Sequence, residues 1–146
     1  MSTPVPPVNG QVIGLAHYAS RAALERVLAR SGTTFEQSVA LRAVSDNGGT
    51  AERARVADRL TAGLKIDGSA ALRTVEELTA RGLLAKPTPG QVSLTNAGRE
   101  LFASIRAAGD AIAARVYAGI PAEDLAAAGR VLALVTERAD AELAEA

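Results

Sequence analysis

The sequence predicts a mostly α-helical chain with one small β-hairpin: a helix-turn-helix followed by a wing, set between long N- and C-terminal helices. Three observations carry that expectation. Apolar residues recur at helical spacing along most of the 146 residues. Residues 53–98 run as helix, tight turn, helix, short hairpin and the start of a new helix. Hydrophobic residues make up 48% of the chain, but aromatics only 3% and Trp none, so the core must be Ala, Leu and Val. Such a core suits close helix–helix packing, and the length suits a single domain.

The elements follow in order. Residues 1–10 (MSTPVPPVNG) read as a flexible, Pro-rich arm, and 11–146 as one domain. From Val12 to Arg30, Leu15, Ala16, Ala19, Ala22, Ala23, Leu24, Val27 and Leu28 draw a broad apolar helical face, which Ser31-Gly32 stops. Thr33 or Thr34 caps a second helix that buries Phe35, Val39, Ala40, Leu41 and Val44, and Asp46-Asn47-Gly48-Gly49 is a turn cluster. Thr50 is read as the N-cap of a third helix, with Glu52 in its first turn and Val56, Ala57 and Leu60 inside.

The span 62–66 is read as the turn to a fourth helix, opened by Asp67 or Ser69 and ended by Gly82. Leu83–Lys86 and Gln91–Leu94 flank Pro87-Thr88-Pro89-Gly90, a hairpin signal. Thr95 caps a long helix with Leu101, Phe102, Ile105, Ala108, Ile112 and Val116 inside, which Gly119-Ile120-Pro121 breaks. A last helix places Leu125, Ala128, Val131, Leu132, Val135, Ala139 and Leu143 on one side. Residues 34–100 thus form a winged core. The terminal helices, 11–32 and 101–146, carry more apolar surface than that core can cover, and a second copy of the chain is the simplest cover.

Composition narrows the function. Sixteen basic residues balance sixteen acidic ones, and the only lysines are Lys65 and Lys86. Cysteine is absent, which removes disulfides, thiolate metal sites and thiol switches. The start lacks a basic segment followed by an apolar one, and no apolar run is long enough for a bilayer, so a cytoplasmic protein without membrane contact is expected. A single histidine, His17, stands without an acidic or thiol cluster. No phosphate-binding glycine loop, nucleophile elbow or paired carboxylates occur, so neither enzyme activity nor a metal or cofactor is expected.

On the fourth helix, Ala71, Val75 and Leu78 share one side, while Ser69, Ala70, Arg73, Glu76, Glu77 and Ala80 share the other. A helix of this kind lies in the DNA major groove, where Ser69 can donate to a phosphate or base. There Ala70 can touch a thymine methyl, and Arg73 can fork onto guanine O6 and N7. The alternative for Arg73 is a solvated charge paired with Glu76 or Glu77, and Glu77 can also pair with Arg81.

Asp67-Gly68-Ser69-Ala70-Ala71-Leu72-Arg73 resembles the Asp-x-Ser-Thr-Val-Thr-Arg pattern of the multiple antibiotic resistance regulator (MarR) family, with both threonines replaced by apolar residues. Leu94-Thr95-Asn96-Ala97-Gly98-Arg99 matches the family's Leu-Thr-x-x-Gly-Arg, and the likeness runs from about Ile13 to Leu143. The resemblance implies a homodimer whose terminal helices interleave, bound to double-stranded DNA over an inverted repeat as a repressor. It implies phosphate contacts from Arg53, Arg55 and Arg59 on the third helix. Family wings carry an acidic-then-basic run; here Lys86 is the wing's one charge. The resemblance also implies a small aromatic or phenolic effector held by His17, Tyr18 and Arg21, and the lack of cysteine separates this chain from the oxidant-sensing members. Zero net charge, the neutral wing and Glu76/Glu77 keep an alternative open: a winged-helix dimer serving as a protein-interaction or small-molecule-binding module with weak or lost DNA binding.

Overall fold

A computed structural model describes residues 4–145. Its elements are α1 (Gly10–Ala29), α2 (Phe35–Asp46), β1 (Thr50–Glu52), α3 (Arg53–Leu64), α4 (Gly68–Ala80), β2 (Leu84–Ala85), β3 (Gln91–Leu94), α5 (Asn96–Val116) and α6 (Ala122–Ala144). Compact packing divides the chain into two units, one ending at Ile112 and the other beginning at Ala113.

Each helix start has a local cause. The Asn9 side chain accepts from the Val12 amide at 2.9 Å, which starts α1 two residues before the apolar spacing predicts. The first three residues of the expected arm lie outside the described residues. Thr34 and Gln37 form a reciprocal capping box at α2. The Thr95 hydroxyl accepts from the Gly98 amide at 3.0 Å, as expected of a cap on α5. At α6 the helix begins at Ala122, with Pro121 in the cap position and Gly119 at φ +78° in the break.

The core of the first unit is Leu41, Val44, Val56, Leu60, Ala71, Val75, Leu78, Leu84 and Val92, each no more than 2% exposed. It joins α2, α3 and α4 to the sheet. Four polar residues are also buried, Thr33, Gln37, Ser38 and Thr74. Arg81 satisfies Gln37, donating to its Oε1 at 2.8 Å and to the Ser31 carbonyl at 2.8 Å. Arg81 therefore fastens the end of α4 to the α1–α2 loop instead of pairing with Glu77.

Three expectations are corrected. Thr50 and Glu52 are not the cap and first turn of a helix. They lie in a strand, β1, that pairs antiparallel with β3 in the register Thr50↔Ser93, Ala51↔Val92, Glu52↔Gln91. The hairpin is thereby a three-stranded sheet of order β1-β3-β2. The partner is some forty residues away, so no local pattern signals it. The turn between α3 and α4 is also shorter than expected, because α3 continues to Leu64 and Lys65 ends it in a left-handed conformation at φ 58°. Finally, of the expected interior of α5, Phe102 and Ile105 are buried but Val116 is 52% exposed.

Gly98 marks the tightest approach in this unit. A Cβ there would collide with the Leu83 carbonyl, which also accepts from the Thr95 amide at 3.1 Å. Only a residue without a side chain lets α5 start against the strand that carries the wing.

In the second unit α6 has no buried residue among those described. Val131, Leu132, Leu134 and Val135 are each more than 40% exposed. On α1, Leu15 and Tyr18 are 63% and 69% exposed.

Candidate nucleic-acid interface

The helix-turn-helix presents α4 to solvent with its start firmly set. Asp67 Oδ1 accepts from the Ala70 amide at 2.7 Å and from the Ser69 hydroxyl at 2.8 Å. The Ala70 amide foremost, then the Ser69 hydroxyl, hold the Asp67 carboxyl below its ordinary range, with the nearby Arg73 charge adding to the pull. Ser69 thus spends its proton on Asp67 and keeps its lone pairs free, which suits it to accept from a base amino group. A contact from Ser69 to a phosphate requires letting go of Asp67.

Ala71, Thr74, Val75 and Leu78 form the buried side of α4, and Thr74 returns its hydroxyl to the Ala70 carbonyl. Ser69, Leu72, Arg73, Glu76 and Glu77 are exposed, and Ala70 is half-buried. Arg73 forms no salt bridge or hydrogen bond among the described residues, so its guanidinium is unencumbered. Neither Glu76 nor Glu77 holds it.

The three arginines of α3 differ sharply. Arg53 is committed inside the module: its amide donates to the Gly90 carbonyl of the wing at 2.9 Å, and its Nη2 donates to Glu76 Oε1 at 3.0 Å. Its Nε is buried without a partner. Arg59 donates to Asp46 Oδ2 at 2.8 Å. Arg55 is exposed and makes no such pair among the described residues. With Arg59, Asp46 and Asn47 it lines a shallow surface cavity between α2 and α3. Lys86 is exposed where the wing leaves β2, and the wing tip closes through the Gln91 amide donating to the Thr88 carbonyl at 3.1 Å. Arg99 braces the wing root, donating to the Leu94 carbonyl at 3.2 Å.

His17, Tyr18 and Arg21 are brought together on α1, with the two rings 5.8 Å apart and His17 edge-on to Phe35 at 6.4 Å. Arg21 is not a free cation. It donates to Glu25 at 2.7 Å and to Glu36 at 3.5 Å, and its guanidinium lies 4.2 Å from the centre of the Phe35 ring. An anionic ligand there must displace a carboxylate, whereas a neutral phenol can use the open surface beside Tyr18. Sequence reasoning missed Phe35, Glu25 and Glu36 as neighbours of this group. The i,i+4 spacing of Arg21 and Glu25 is the signal that could have exposed the first pair. Among the described residues no group of three or more His, Cys, Asp or Glu could hold a metal ion. Among the same residues no helix is long and apolar enough to cross a membrane.

A capped, solvent-facing second helix beside a three-stranded wing defines a winged helix-turn-helix. No protein-family model matches the chain, and no curated protein matches it in sequence. Solved structures do. A MarR family transcription regulator is 26% identical, with a TM-score of 0.75 and coverage of 93% of this chain and 91% of that one. CouR from Rhodococcus jostii RHA1, bound to p-coumaroyl-CoA, is 21% identical, with a TM-score of 0.72 and coverage of 87% and 90%. NadR in complex with 4-hydroxyphenylacetate is 21% identical, with a TM-score of 0.72 and coverage of 90% and 98%. The fold is that of the MarR family regulators, and the resemblance seen in the Asp67–Arg73 and Leu94–Arg99 motifs holds over the whole winged helix and its flanking helices.

Proposed function

We propose that this chain is a MarR-type transcriptional regulator: a homodimer that binds an inverted-repeat operator as a repressor and releases it on binding a small aromatic or phenolic molecule. The observation that carries the reading is α4, capped by Asp67 and exposing an unpaired Arg73 beside Ser69 and Ala70. In this reading Ser69, Ala70 and Arg73 meet base edges, while Arg55 and Lys86 meet phosphates. Arg53 and Arg59 join the phosphate set only by exchanging Glu76 and Asp46 for DNA. The exposed apolar faces of α1 and α6 support a dimer, which would space the two reading helices by about 34–36 Å for successive half-sites. His17, Tyr18 and Arg21 form the proposed effector contacts. The ligands in the CouR and NadR structures support the aromatic class.

A second reading has its own support. Two of the three α3 arginines are already neutralised by Glu76 and Asp46, and the wing carries a single lysine. That favours a protein-interaction or ligand-binding dimer with weak or lost DNA binding. A mobility shift on DNA upstream of the chain's own gene, with genome-wide capture at low and moderate salt, separates the two. Sequence-selective retention supports the regulator; no retention even at low salt supports the interaction module.

A further inference from the structure

The geometry points to Leu72 as a base-reading residue that selects thymine by its 5-methyl group, beside the position read by Arg73. This rests on the DNA-binding reading above. Large apolar side chains are exposed in two kinds of place. Val5, Val8, Leu15 and Tyr18, and then Val116 and residues beyond it, belong to the N-terminal segment and the long terminal helices. Within residues 34–100 Leu72 is the one large hydrophobic residue that is exposed, at 37%. It is the fifth residue of α4, in the turn that also carries Ser69 and Arg73.

The core of the module does not need this leucine, since Ala71, Thr74, Val75 and Leu78 complete the buried side without it. Its exposed neighbours on that side, Ser69, Arg73 and Glu76, are polar or charged, so it gains nothing there from packing against like residues. A major groove offers one apolar group, the thymine methyl, and an isobutyl side chain can bury it where a polar one cannot. Leu72 and Arg73 are consecutive and both exposed, so in this proposal they address neighbouring base pairs. The half-site then contains a thymine adjacent to the guanine that accepts from Arg73.

The test begins by selecting bound duplexes from a random pool with the full-length protein. Each thymine of the selected site is then replaced by deoxyuridine, which removes only the methyl. Wild-type protein should lose affinity about fourfold per half-site at one thymine, the worth of one buried methyl-sized group, and little at the others. Leu72→Gln keeps the length and helix propensity of an exposed position. Its affinity should be indifferent to the same replacement, and its own selected site should no longer require thymine there. If deoxyuridine is neutral everywhere, or Leu72→Gln loses as much as wild type, the proposal is overturned while DNA binding stands. If no sequence is enriched, the DNA-binding reading falls, and the proposal with it.

Discussion

Asp67 holds the start of α4 through an ionised carboxylate, and that makes the helix sensitive to acid. Its folded pKa lies below the ordinary value of 3.8, so its stabilisation is complete above that value and is lost as the pH falls through the depressed one. Asp67→Asn keeps a good cap without the charge. Thermal midpoints followed from neutral pH down to about pH 2 should show a shallower acid decline for the variant; matching declines would dismiss the carboxylate as the cause. Arg73 and Arg55 both lack an ion pair or side-chain hydrogen bond among the described residues, and they should behave differently. Arg73→Ala should cost about 1–3 kcal/mol on a selected operator and little on random DNA, as for a bidentate base contact. Arg55→Ala should weaken both alike and lower the salt slope by about one. Titrations on both DNAs at several salt concentrations decide this, and equal losses for Arg73→Ala would make it a backbone contact.

Between elements, the decisive contact is the one between α5 and the strand before the wing. Gly98 stands against the Leu83 carbonyl, and Thr95 joins the same knot by donating to the Gly82 carbonyl at 2.7 Å. Gly98→Ala must push the helix away from backbone that cannot rotate aside. We expect a loss of about 1–3 kcal/mol by chemical denaturation, the range of forced overpacking, with the wing displaced. Alanine is the better helix former, so unchanged or higher stability would show that the close approach is not required. The same element level explains the missed strand. Thr50–Glu52 has the look of a helix start because Thr and Glu suit caps and first turns. Pairing with Gln91–Ser93 overrides that preference, since the ladder satisfies the strand's backbone groups while Ala51 is buried between its exposed neighbours.

At the scale of the molecule, the apolar side chains left open on α1 and α6 should be closed by a second copy. Sedimentation at micromolar concentration should find a dimer, and a stable, folded monomer on dilution would contradict it. Zero net charge adds a second consequence. With Arg53 and Arg59 internally paired, few counterions are released on binding, so the salt dependence of any DNA complex should be shallow for this fold.

The periodic spacing of apolar residues was enough to place all six helices among the described residues, and the Pro87–Gly90 turn the wing, because both signals are local. The cap at Thr95 was equally legible, since a cap and its amide lie three residues apart, while Thr34 and Asp67 were each one of two candidates, with Thr33 and Ser69, that the structure resolved. Most of the outer face of α4 was legible from a helical projection, which nevertheless included the half-buried Ala70 and passed over the exposed Leu72. Tertiary structure alone decided which charges remain available there. Arg53 lies 23 positions from Glu76 and Arg59 lies 13 from Asp46, so nothing near them in the chain announces that they are paired. Arg81 likewise turned from its neighbour Glu77 to partners far off in the chain, the buried Gln37 amide oxygen and the Ser31 carbonyl, where two charge-assisted hydrogen bonds return more than one exposed ion pair.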